Sequence, residues 1–101
     1  MAVACTGHDR NMTITISGEV DHHGAKQIME ELDRQMAVVM PRNITVDLSG
    51  VSFMDSSGIA VLLRAYKRAA ELGGAVTVRS VPEQAGKVLQ AAGLERLMKF
   101  E

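Results

Sequence analysis

Asp55-Ser56-Ser57-Gly58 sets a carboxylate and two hydroxyls directly ahead of an apolar-periodic run, and three chemistries could use that grouping. A helix leaves its first N–H groups unpaired, and a serine or aspartate can accept from one of them. One helix end does not need three such side chains. A serine at a helix N-terminus is also a good phosphate acceptor, because free N–H groups and the macrodipole favour the dianion it becomes. The third use is a hydrolase nucleophile, with His22 or His23 as the base. That use lacks a G-x-S-x-G frame and any signal of an oxyanion hole. His8, His22, His23, Asp21 and Cys5 show neither H-x-x-x-H nor C-x-x-C spacing, so a metal is not indicated, and the adjacent histidines read as a solvated helix entry. No P-loop and no G-x-G-x-x-G is present, so no cofactor of the chain's own is expected.

The elements that must position these groups follow from apolar periodicity. Val3 and Cys5, then Met12, Ile14 and Ile16, alternate around "GHDRN" and predict a hairpin. Ala25, Ile28, Met29, Leu32, Met36 and Val39 keep helical spacing and predict a first helix that stops before Pro41. Ile44, Val46 and Leu48 alternate again in a third strand, which Ser49-Gly50 is expected to break. In the second helix Ile59, Leu62, Leu63, Tyr66 and Ala70 are expected on the buried side, ending at Gly73-Gly74. "AVTV" at 75–78 predicts a fourth strand. Ser80-Val81-Pro82-Glu83 resembles a capping box opening a third helix that runs to Gly93, and Leu94, Leu97 and Phe100 are expected to close on the core.

The order β, β, α, β, α, β, α with a short terminal element predicts an α/β fold. It would be a single domain over residues 1–101, a mixed sheet of about four to five strands with the helices mainly on one face. The length suits one core. A net charge of -1 from eleven basic and twelve acidic side chains, without runs of either sign, argues against nucleic acid or a membrane as partner. The single cysteine excludes an internal disulfide and fits a reducing compartment. No apolar run is long enough to span a membrane, and the first residues do not form a signal peptide. A cytoplasmic location is the expectation.

Two segments, "SGEVDHH" at 17–23 and "DLSGVSFMDSSGIAVLL" at 47–63, resemble the anti-sigma factor antagonists of the STAS domain family, those acting on the sporulation anti-sigma-F factor above all. Weaker similarity continues through "YKRAAELGG" and "AAGLERLMKF". In that family the first hydroxyl residue after the motif aspartate is phosphorylated by a partner that is both anti-sigma factor and kinase. By position that residue is Ser56. The resemblance also places Asp21 and Asp55 beside the acceptor on the partner surface and leaves Ser57 to cap the helix. Two departures stand out. Gly24 follows the histidines where relatives have a small residue with a side chain, and the chain ends at Glu101 where the sporulation antagonists continue into a further short helix.

The resemblance therefore implies a non-enzymatic regulator that binds its anti-sigma factor when Ser56 is free and releases it when Ser56 is phosphorylated. The kinase brings ATP and magnesium, and a serine phosphatase restores the binding form. The expected partner surface comprises Asp21, His22, Asp55, Ser56, Ser57, Gly58, Val61, Arg64 and Arg68, with Val61 expected to project between Arg64 and Arg68 on the polar side of the second helix. Alternatives are a STAS docking module in a stress-signalling or transport-ATPase assembly, and a small serine hydrolase.

Overall fold

In the computed structural model, which describes residues 2–101, the chain is threaded by two strands, β1 (Ala2–His8) and β2 (Asn11–Val20). Helix α1 (His22–Val39), strand β3 (Asn43–Met54), helix α2 (Ser57–Glu71) and strand β4 (Ala75–Arg79) follow. Helix α3 (Glu83–Ala91), a 3-10 turn at Leu94–Arg96 and the two-residue strand β5 (Lys99–Phe100) complete it. The five strands lie in the order β1-β2-β3-β4-β5, so β1 and β5 are the edges. β1 is antiparallel to β2, and every later pairing is parallel.

Each helix connects one strand to its parallel neighbour, and each crossover steps the same way across the sheet. Right-handed crossovers in one direction put all three helices on one face. That face carries Met12, Ile14, Ile16, Ile44, Val46, Leu48, Val76 and Val78, all buried. The opposite face is polar, and Thr6, Thr13, Thr45 and Thr77 stand in register in one row across four strands. The expected single α/β domain with a mixed sheet is therefore the one observed.

The hairpin turns on Asp9 and Arg10, both at positive φ, which is what a two-residue turn needs to match strand twist. β3 corrects one expectation. Ser49-Gly50 does not break the strand but shifts its register against β2 between Thr15 and Ser17, and the strand continues to Met54. Asp47 stabilises this irregularity by accepting from the Ser49 N–H at 2.9 Å. Where β4 begins, Gly74 lies so close to the Arg42 carbonyl that no side chain could fit.

The first helix buries the stripe expected of it, with Ala25, Ile28, Leu32 and Met36 inside and Met29 and Val39 packed at its margins. In α2 the buried set is Gly58, Val61, Leu62, Ala65 and Ala69. Every member lies one residue before its expected counterpart, so the helix is turned by roughly 100° from the expected orientation. Val61 is accordingly only 4 % exposed, inside the core instead of among the arginines. The physical reason is that small residues let α2 approach closely, while Leu63 and Tyr66 fill the flanks half-buried. Ala70 is exposed, as is Leu97 at 44 %, so neither joins the core, whereas Leu94 and Met98 do. Ser80 does not cap α3. Its φ is positive, Pro82 occupies the N-cap position without a side-chain bond, and the helix ends at Ala91, short of Gly93.

Two outcomes follow from this packing. Val61→Glu should destabilise the fold by about 3 kcal/mol or more, since it buries an unpaired charge, and a urea melt followed by circular dichroism measures it. The Asp47 carboxyl is held below its ordinary value of 3.8 chiefly by the Ser49 N–H, then by the Ser49 hydroxyl, with Arg79 adding to the effect. A depressed folded pKa contributes stability that is full above the ordinary value and is lost as pH falls through the folded one. Thermal melts from about pH 6 to about pH 3 should therefore fall less steeply for Asp47→Asn than for the unaltered chain.

Candidate functional site

Because β2 and β3 run parallel with Val20 opposite Met54, the next residues, Asp21 and Asp55, leave neighbouring strands at the same carboxyl end. The Asp55 N–H donates to the Val20 carbonyl at 3.1 Å and ties the two exits together. Each aspartate then starts a helix. Asp21 is the N-cap of α1, in extended conformation, and its Oδ1 accepts from the Gly24 N–H at 2.7 Å. Asp55 Oδ1 accepts from the Ser57 N–H at 2.8 Å.

The cap of α2 is therefore supplied by Asp55, and the expectation that Ser57 caps the helix is corrected. Ser56 occupies the N-cap position with helical dihedrals and makes no side-chain capping bond. Its carbonyl accepts from the Ile59 N–H, and the Asp55 carbonyl accepts from the Gly58 N–H, both at 3.1 Å. The first N–H groups of α2 are thus engaged, and the expectation of free donors awaiting a phosphate does not hold for Ser57, Gly58 and Ile59. Ser56 itself is exposed, while Asp55 and Ser57 are half-buried.

Gly58 is buried, and a Cβ built there would meet the Met54 Sδ at 2.5 Å, so a larger residue would require the Met54 side chain to shift. His22 is exposed in the first turn of α1. His23 contacts the Gln27 amide through Nε2 at 3.3 Å, and His8 pairs with Asp9. Arg64 and Arg68 lie farther along α2, about 12 and 18 Å from Ser56 at 1.5 Å per residue. Arg64 Nη1 bridges to Asp33 Oδ2 of α1 at 2.8 Å, and Arg68 pairs with Glu71 at 3.5 Å. Both line a groove between α1 and α2 with Met29, Met36 and Leu63. The strand ends therefore gather Asp21, His22, Asp55, Ser56 and Ser57, with the arginines on an adjoining helix face.

Two residues at this end escaped sequence reasoning. Phe53, the penultimate residue of β3, is 43 % exposed and lies just past the second register shift against β2. Gln84 of α3 bonds both backbone groups of Met54, a contact between distant segments that periodicity cannot signal. Among the described residues no group of three or more His, Cys, Asp or Glu could hold a metal, and no helix is long and apolar enough to cross a membrane.

The model of the STAS domain matches residues 2–101. The anti-sigma F factor antagonist of Paenibacillus polymyxa is 33 % identical over 92 residues, covering 90 % of this chain and 79 % of the relative. The structure of the anti-sigma factor antagonist SpoIIAA in its unphosphorylated form superposes with a TM-score of 0.84 at 26 % identity, covering 99 % of this chain and 88 % of that one. The phosphorylated form of the Bacillus cell fate determinant SpoIIAA superposes with a TM-score of 0.75 at the same identity, covering 99 % and 91 %. With its whole described length matched by the domain model and its sheet superposing on a member's, the chain belongs to the STAS domain family.

Proposed function

We propose that this protein is an anti-sigma factor antagonist switched by phosphorylation at Ser56. The observation that carries the reading is Ser56 itself, an exposed hydroxyl with no capping duty, at the end of the sheet where two capped helices begin. Similarity to SpoIIAA, known in unphosphorylated and phosphorylated forms, supports it. The unmodified protein binds an anti-sigma factor that is also a serine kinase and brings ATP and magnesium. A phosphatase resets it, and the exchange takes place in the cytoplasm.

The contact surface on this reading is Asp21, His22, Asp55, Ser56 and Ser57, with Phe53 offering apolar area beside them and Arg64 and Arg68 extending it along α2. Val61 and Gly58 act from within, through packing. A phosphoserine adds about -1.5 to -2 charges next to Asp55. At about 6 Å and an effective dielectric near 20, each pair of like unit charges costs on the order of 3 kcal/mol. A dianion facing one acidic group of the partner would cost about 5, near the roughly 5.5 kcal/mol that carries a two-state population from 1:99 to 99:1.

Incubation with the cognate kinase and ATP, followed by intact-mass measurement and peptide mapping, should find one phosphate on Ser56. Phosphate on Ser57, or none, would overturn the assignment. Ser56→Asp should fold normally and bind the anti-sigma factor about 100-fold more weakly in calorimetric titration, as one added like-charge pair implies. Ser56→Ala should bind and resist release by ATP.

Asp21 has two roles that substitution separates. Asp21→Asn keeps a capping side chain and should leave stability within about 0.5 kcal/mol while weakening the complex, whereas Asp21→Ala should in addition lose about 1 kcal/mol in a denaturant melt.

A further inference from the structure

β4 pairs with β3 only from Asn43 to Asp47, so beyond that point β3 runs on with no strand beside it on that side. At Met54, the last residue before the Asp55-Ser56 loop, the missing neighbour is replaced by a side chain. The Met54 N–H donates to Gln84 Oε1 at 2.8 Å, and Gln84 Nε2 donates to the Met54 carbonyl at 2.7 Å. A primary amide thus does what a strand residue would do, giving one donor and one acceptor to the same backbone residue. On the other side the Asp55 N–H is bonded to Val20. The start of the loop is gripped from both flanks.

We propose that Gln84 is a positioning residue for the acceptor loop, fixing Ser56 relative to the sheet through its paired bonds to Met54; its effect on phosphorylation rests on the function proposed above. The chemistry is specific to glutamine at this place. Glutamate supplies the acceptor without the donor, lysine and arginine supply donors without an acceptor, and asparagine is one methylene shorter. Gln84 is exposed, so its role is not core packing, and Ala85 beside it is the residue that docks the first turn of α3. A reacting hydroxyl held in one geometry is worth more to a kinase than a wandering one, because the order is paid for before encounter.

The test compares Gln84→Leu and Gln84→Glu with the unaltered chain by amide hydrogen exchange and by phosphorylation kinetics. Both variants should melt within a few degrees of the unaltered protein. In Gln84→Leu the Met54 amide should exchange about tenfold faster, the ratio that corresponds to about 1.4 kcal/mol, with Val46 and Val78 unchanged. Gln84→Glu, which keeps the acceptor, should fall between. With the cognate kinase, kcat/KM for Ser56 should drop at least about fivefold in Gln84→Leu, mainly through kcat. Wild-type exchange at Met54, or wild-type phosphorylation efficiency in Gln84→Leu, would overturn the proposal. A wild-type chain that the kinase does not modify would sink the proposed function instead, and the exchange comparison would still decide whether Gln84 holds the loop.

Discussion

The pairing of Val20 with Met54 across β2 and β3 is the constraint on which the site depends. A parallel register sets which residues leave the sheet side by side, and here it releases two aspartates together, each followed by a helix. The register shifts at Ser17 and Glu19 are part of that arrangement, since without them β3 would reach the sheet end out of step with β2. Asp47, by accepting from Ser49, holds the first of these shifts, so a residue on the polar face helps determine where Asp55 emerges.

The local hydrogen bonding at the head of α2 bears on how a modification there can act. The Ser57, Gly58 and Ile59 N–H groups already have partners, two of them provided by Asp55. A charge added at Ser56 therefore enters a helix end whose nearest donors are engaged, beside a carboxylate that engages one of them. Its main consequences lie outward, toward whatever faces the loop, and that is consistent with a switch that alters contacts and leaves the core alone.

Much of this was legible in the chain. The order of elements, the hairpin and the α1 stripe follow from large aliphatic residues at unambiguous spacing, and Asp55-Ser56-Ser57 marked the candidate site. What escaped has physical causes. The α2 face was misjudged by one residue because Gly58, Ala65 and Ala69 are small, and close approach selects small residues where hydropathy selects large ones. Ser49-Gly50 looked like a stop because a bulge and a strand end use the same residue types. The roles of Asp55 as cap and Gln84 as surrogate strand are tertiary, for they depend on which backbone groups the fold leaves without partners.

The two edges of the sheet are unequal in a way that bears on how the protein behaves when concentrated. β5 is two residues long and carries Lys99, whereas β1 is seven residues long and its first six, Ala2 to Gly7, include no charged side chain. Short, charged edges refuse additional strands, and long neutral ones accept them. Of the two edges, β1 is therefore the one whose backbone resembles a template for an added strand, on the flank away from α3. A lysine introduced on the polar side of β1, at Ala4 or Thr6, would close that edge without touching the end of the sheet where Ser56 lies.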